Sequence, residues 1–234
     1  AIAVKEINES SLFNEEWGGT DRVRVSVSSS NQVNISRGKM TVSGPKKIRE
    51  LVDKNVYDIS PQSFWQSHKD APRVLTQAVR EFAQVVPGDR ILDLYGGVGL
   101  FTAALLAEVG SEGAIDLVEG SKSATADARR NFAEDSVVTV HTGDVVKILP
   151  RFSQANVIIL DPPREGAGKE VIAECARLLP RTIVYVACDP AALARDVSYL
   201  REYGYKLQQL RAFDLFPMTH HIECVALLTL DKVS

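Results

Sequence analysis

The sequence predicts an α/β protein built on a doubly wound, mostly parallel seven-stranded sheet, with a C-terminal antiparallel hairpin and a small β-rich region at its start. Three observations carry this expectation. From about residue 60 to residue 204, short runs rich in β-branched residues alternate with amphipathic helical patterns. Two of those runs, I-I-L-D-P-P-R (158–164) and I-V-Y-V-A-C-D-P (183–190), end in reactive polar groups. Buried parallel strands with chemistry at their carboxyl ends have that form. After Tyr203-Gly204 come two long strand-like runs with no helix between them, which suits an antiparallel edge.

Taken in order, residues 1–58 form a β-rich accessory region, for which an incomplete appendage is one reading. V-R-V-S-V-S alternates through Val23, Val25 and Val27, V-N-I-S alternates through Val33 and Ile35, and the S-S-S-N between them predicts a hairpin. Met40 to Val42 is a candidate further strand before Gly44-Pro45. Residues 59–234 form the main domain. Ser60-Pro61 and Ser63 read as a capped lead-in to a helix through Val74, Ala78, Val79 and Phe82, ending near Pro87-Gly88. Strands are then expected at 91–95, 114–119, 137–141, 157–161 and 183–187, helices at 100–109, 121–134, 168–179 and 191–203, and the final strands at 205–213 and 222–230. The sequence has no internal repeats.

Composition narrows the classes. With 234 residues and 45% hydrophobic content, one sizeable core is expected, and no window approaches a membrane span. The polar first stretch resembles neither a secretory nor a transit peptide. Three widely spaced cysteines make neither a disulfide framework nor a metal site, so reduced thiols, a cytoplasmic location and no metal are expected. Cys175 and Cys224 sit in apolar patterns as core residues, and only Cys188 stands at a strand end. A net charge of −3 means that any nucleic-acid contact must use a local patch. Residues 37–54 hold six basic side chains against Glu50 and Asp53, but taken alone these read as an ordinary solvated surface. A monomer is expected.

The segment D-L-Y-G-G-V-G-L-F (93–101) places Gly96, Gly97 and Gly99 between a strand and a helix, where the backbone can approach a ligand closely. The third glycine of a dinucleotide fingerprint is absent, and Asp93 precedes the loop. That favours a cationic amino-acid moiety over a diphosphate. Glu119 ends the next strand at the position for a ribose diol, and Asp144 follows the third strand where an adenine amino group would lie. Carboxylates at successive strand ends (Asp93, Glu119, Asp144, Asp161) form the pattern expected for S-adenosylmethionine. Each acid singly also reads as a helix N-cap, and for Asp144 both readings stay open.

At the other end, Asp161-Pro162-Pro163 makes a stiff, donor-poor turn fit to hold a flat ring. Cys188 offers that ring a nucleophile, and Glu223, at the end of F-P-M-T-H-H-I-E (216–223), offers a base. Methylation of pyrimidine C5 needs both groups, because C5 becomes nucleophilic only after a thiolate adds at C6, and the C5 proton must then be removed.

With these pieces assembled, the sequence resembles the RNA 5-methyluridine methyltransferases, a family that modifies uridine in tRNA and 23S ribosomal RNA. The matching segments are S-P-Q-S-F-W-Q (60–66), D-L-Y-G-G-V-G-L-F, L-V-E (117–119), D-P-P-R-E-G (161–166), A-C-D-P-A-A-L-A-R-D (187–196) and F-P-M-T-H-H-I-E, covering the chain from about residue 60 to its end. The resemblance implies a Rossmann-like class I methyltransferase fold, S-adenosyl-L-methionine as cofactor and RNA as partner. It implies Cys188 as nucleophile and Glu223 as general base. It assigns cofactor contacts to Gln66, Tyr95, Glu119 and Asp161, alongside Asp93, Gly97, Gly99 and Asp144 from the residue reading.

Phe64, Pro162, Arg164 and His221 are substrate-side candidates. Phe64 reads as either packing or stacking, Arg164 as either a salt-bridge partner or a phosphate or base contact, and His220 and His221 as either turn packing or substrate contacts. Trp17, Trp65 and Tyr57 read as packing residues.

The sequence departs from the family pattern at several points. Asp189 replaces the usual Asn after the nucleophile, which predicts a raised thiol pKa unless Arg164 or Arg195 compensates. Gly96-Gly97 stands where Cys-Gly is frequent, His68 where Asn is usual, and Leu100 replaces a polar residue. An OB-like RNA-binding domain and the four cluster-binding cysteines of some members have no counterpart in these residues. Two other functions stay open at this point: methyl transfer to another RNA or small molecule, and RNA binding or folding without turnover.

Overall fold

The structure, a computed structural model, describes residues 5–10, 12, 14, 16–216 and 218–230. Pro217 of the F-P-M-T-H-H-I-E segment and the last four positions of the expected main domain lie outside the described residues. After a short α1 (Lys5–Asn8), β1 (Val23–Val27), β2 (Val33–Arg37) and β3 (Met40–Ser43) form a three-stranded antiparallel sheet in that order. The expected β1–β2 hairpin is present, with Val25 opposite Ile35. Its turn is built by Asn31 at φ 58, in the left-handed region that Asn tolerates.

A second hairpin, β4 (Ile48–Val52) and β5 (Asn55–Ile59), was not anticipated. Ile48, Glu50 and Val52 point inward on β4, and the acid at the central inward position breaks the apolar alternation that marks a strand. Glu50 is held there by the Ser29 N–H at 2.9 Å. Ile48, Val52, Tyr57 and Ile59 join the main core, so the expected division at 58/59 falls inside β5. The ring of Tyr57 packs on Trp65 at 5.1 Å.

α2 (Ala71–Ala83) is amphipathic, burying Leu75, Ala78, Val79 and Phe82. It starts later than the sequence suggested and ends at Ala83, with Gln84 in the left-handed region. Ser60 and Ser63 do not cap it. Their hydroxyls donate instead to Asp127, at 2.8 and 2.7 Å.

The strands that follow are β6 (Arg90–Leu94), β7 (Ala114–Glu119), β8 (Val138–Thr142), β9 (Val157–Leu160), β10 (Thr182–Ala187), β11 (Tyr205–Phe213) and β12 (Glu223–Leu230). Between them lie α3 (Leu100–Val109), α4 (Lys122–Asn131), the four-residue α5 (Val145–Ile148), α6 (Gly168–Arg177) and α7 (Pro190–Glu202). The sheet order is β11-β12-β10-β9-β6-β7-β8, with β12 antiparallel to both neighbours and the rest parallel. The expected mixed α/β architecture is therefore present.

β9 and β10 are buried throughout because helices cover both faces, which explains their continuous apolar runs. The chain winds outward from β6 to β8, then returns to place β9 beside β6. That reversal opens a crevice at the carboxyl ends of β6 and β9, where ligands bind in open α/β sheets. Among the described residues, no helix is long and apolar enough to cross a membrane.

Candidate active site at the carboxyl edge of the sheet

Strand periodicity alone stacks the candidate residues on one face. Ile91, Leu117, Ile159, Val184, Val186 and Val225 face the core covered by α2 and α3. Because side chains alternate, Asp93, Glu119, Asp161, Cys188 and Glu223, each two residues along from one of these, share that face. Register sets their depth. Asp93 is level with Leu117 and Ile159, so Glu119 and Asp161 sit one layer nearer the mouth. Ala187 of β10 pairs with Cys224 of β12, which brings Cys188 and Glu223, the next residue outward on each strand, opposite one another at the top.

Asp93 is fully buried, with 0% exposure. Its Oδ2 accepts from Thr102 N at 3.0 Å and Thr102 Oγ1 at 2.6 Å, whereas its Oδ1 has no partner among the described residues. Burial lifts this carboxyl to about 6, against the Thr102 bonds that pull it down. Thr102 has no role in the sequence reading. Glu119 accepts from Gly97 N at 3.1 Å and Ser121 N at 2.6 Å, which ties the glycine loop to the end of β7.

In that loop, Gly99 has φ +97 and a Cβ there would lie 2.2 Å from the Phe132 ring, so only glycine fits. Gly97, at φ +55, faces open space. Tyr95 also holds a positive φ of 62, a backbone conformation costly for a tyrosine. It packs with the opposite core, and burial together with charges including Asp144 raises its hydroxyl pKa to about 12. Asp144 itself is exposed and caps α5, accepting from Val146 N at 3.2 Å.

Asp161 follows β9, its N–H donating to the Leu94 carbonyl at 3.2 Å. Burial, and then Glu223, Asp93 and Glu119, push its carboxyl well above the usual range. Glu223 is buried, with 4% exposure, and desolvation raises it to about 7. Burial also raises the Cys188 thiol, helped by Glu223 and Asp161, while Arg164 pulls it down.

The charge expected to disturb the thiol was Asp189, but its side chain caps α7, accepting from Ala192 N at 2.8 Å. Of the two candidate compensating cations, Arg164 acts on Cys188, whereas Arg195 is paired with Asp196 at 2.8 Å. Arg164 also acts on His221, which burial, Arg164 and His220 hold below the usual histidine range. His221 lies 4.2 Å from the His220 ring and edge-on to Phe216 at 6.0 Å. The two histidine rings wall a cleft of about 440 Å³ that also takes in Phe213, Asp214 and Ile222.

Pro162 is buried, Gln66 half-buried, and Phe64 67% exposed just ahead of it. The 60–66 segment is tied down by Asp127, fully buried on α4, which accepts from Ser60 N, Ser60 Oγ, Ser63 Oγ, Lys47 Nζ and Arg130. Asp127 and Asp196 were not singled out from the sequence. For Asp127 the available signal was an acid between Ala124 and Ala128 on the apolar stripe of α4. Cys175 and Cys224 are buried, as expected of core residues. Among the described residues, no group of three or more His, Cys, Asp or Glu side chains is arranged to hold a metal ion.

Comparison with known proteins finds a match to the family described as tRNA (uracil-5-)-methyltransferase over residues 28–231. An uncharacterised RNA methyltransferase of Streptomyces avermitilis is 48% identical over 189 residues, covering 80% of this chain and 44% of the relative. One from Streptomyces coelicolor is 46% identical over 193 residues, covering 82% and 42%. Pyrococcus abyssi tRNA (uracil-54, C5)-methyltransferase, solved in complex with S-adenosyl-L-homocysteine, is 32% identical with a TM-score of 0.69, covering 80% of this chain and 45% of that one. This chain therefore spans less than half the length of these relatives.

Proposed function

The chain belongs to the tRNA (uracil-5-)-methyltransferase family, and on that premise we propose that it methylates C5 of a uridine in tRNA or ribosomal RNA, with S-adenosyl-L-methionine as methyl donor. The observation that carries this reading is the meeting of Cys188 and Glu223 across the last β10–β12 pair, one layer above Asp161. Simple N- or O-methylation needs no thiol opposite a carboxylate.

The residues present fit the cofactor. Asp93 keeps a buried carboxylate oxygen without a partner, the match for an ammonium group. Gly97 leaves open space in the loop for close backbone approach. Glu119 would hold a ribose diol, and Gln66, Tyr95, Gly99, Asp144 and Asp161 would complete the enclosure. When bound, the cofactor supplies an electrophilic methyl group on a sulfonium.

The chain's own residues then account for the rest. Pro162 and Phe64 flank the target ring, and Arg164 and His221 lie on the substrate side. The Cys188 thiolate adds to C6, and the displaced π pair makes C5 nucleophilic. Once C5 carries the methyl group, the Glu223 carboxylate takes the C5 proton. The freed pair re-forms the C5–C6 double bond and expels the thiolate. A carboxyl raised to about 7 suits a base working near neutrality.

The test is transfer of a labelled methyl group to unmodified tRNA and ribosomal RNA, followed by nucleoside analysis. Labelled 5-methyluridine is the expected product, and label in any other nucleoside overturns the assignment.

A further inference from the structure

Arg195 and Asp196 close the motif that begins at Ala187, yet the chemistry above gives them no part. Asp196 lies on α7 with 0% exposure. Its Oδ2 accepts from Ala167 N at 2.7 Å, Gly168 N at 3.2 Å and the Tyr185 hydroxyl at 2.6 Å. Its Oδ1 accepts from Arg195 Nε at 3.0 Å and Nη2 at 2.8 Å. Arg195 Nη2 donates again, to the Glu165 carbonyl at 2.6 Å.

Gly166 N donates to the Pro163 carbonyl at 2.8 Å, closing the turn that carries Arg164. Gly166 has φ +80, and a Cβ there would lie 2.6 Å from both Arg195 Nη2 and Asp196 Oδ2, so only glycine lets the pair come this close. The fastenings to residues 165, 167 and 168 are all to backbone, which fixes the path of the turn. Among the described residues, no hydrogen bond or ion pair holds the Arg164 guanidinium itself.

We propose that Arg195 and Asp196 are positioning residues that fasten the 163–168 turn and so keep the Arg164 guanidinium on the Cys188 side of the strand mouth. Arg164 is the cation that opposes Glu223 and Asp161 at the thiol. A turn released from α7 would let that charge drift into solvent, where its influence fades. The proposal rests on Cys188 being the reacting thiol, but the fastening can be measured without RNA or cofactor.

The experiment follows the rate of iodoacetamide alkylation of Cys188 against pH in the whole chain, with Cys175 and Cys224 protected by burial. Arg195→Ala is expected to raise the apparent thiol pKa by about half a unit, making alkylation about threefold slower below the pKa. Arg164→Ala is expected to shift it in the same direction, and the double variant to shift it no further than Arg164→Ala alone. Arg195→Lys keeps the charge but cannot bridge Asp196 and the Glu165 carbonyl together. It provides the same test with less disturbance to folding, and a smaller shift of the same sign is expected.

Wild-type alkylation profiles in both Arg195 variants, or a shift that adds in full to that of Arg164→Ala, overturn the proposal. Failure of Cys188 to form a covalent RNA adduct would overturn the nucleophile assignment while leaving the alkylation result intact, so the two failures are distinguishable.

Discussion

Cys188 and Glu223 stand opposite each other one residue beyond the Ala187–Cys224 pair, the outermost rung between β10 and β12. An antiparallel strand lies beside β10, where a further parallel strand would have brought the carboxyl end of its own run. β12 instead brings its amino-terminal end, so Glu223 enters the site at the start of a strand and Cys188 at the end of one. The reversal of β12 thus sets Cys188 beside Glu223, and register fixes their facing.

Cys188→Ala is expected to lower methyl transfer by at least about a thousandfold, as removal of a covalent nucleophile does. Calorimetric affinity for S-adenosylhomocysteine should be unchanged, since Asp93 and Glu119 belong to other strands. Equal loss of both properties would count against the nucleophile role.

Asp93→Asn keeps an oxygen for the two Thr102 bonds but removes the charge beside the orphaned Oδ1. Cofactor affinity should fall about tenfold to a hundredfold, the worth of a hydrogen bond to a charged group. Undiminished affinity in the same titration would rule out the ammonium contact.

The Glu223 carboxyl holds its proton to about 7 in the fold, against an ordinary 4.5. Between those values the folded state binds the extra proton, so stability falls as pH rises through that window. Glu223→Gln should therefore stabilise the free protein at pH 8, by about 3 kcal/mol at most, and change it little at pH 4. Urea unfolding at the two pH values measures this, and an equal effect at both would show that the carboxyl is not raised.

Asp127→Ala strips the acceptor from Ser60, Ser63 and Lys47 at once and leaves buried donors unmatched. A loss of about 3 kcal/mol is expected from the shift in denaturation midpoint. Loss below about 1 kcal/mol would mean that water replaces the carboxylate.

The candidate site residues were legible in the sequence because they stand at the ends of apolar runs. Asp93 and Glu119 lie in the last two positions of their strands, Asp161 and Cys188 directly follow theirs, and the limits of all four strands lie within a residue of expectation. What the sequence concealed are the residues that hold those groups. Asp127 draws its distant partners from residues 47 to 63, and Asp196 draws its own from Ala167, Gly168 and Tyr185 of β10. Such pairings depend on tertiary packing, which periodicity does not report. Glu50, an acid facing inward, likewise hid β4, and the four-residue α5 is too short to display a helical period.

The most direct test of the central claim is covalent trapping on RNA containing 5-fluorouridine, in the presence of S-adenosylmethionine. Fluorine at C5 cannot be removed as a proton, so once C5 has also received the methyl group the thiolate at C6 cannot leave. The account predicts a denaturation-resistant protein–RNA band whose digested peptide carries the nucleotide on Cys188, and no band with Cys188→Ala. Turnover of ordinary uridine RNA to 5-methyluridine with no such adduct, or an adduct on any other residue, would contradict it.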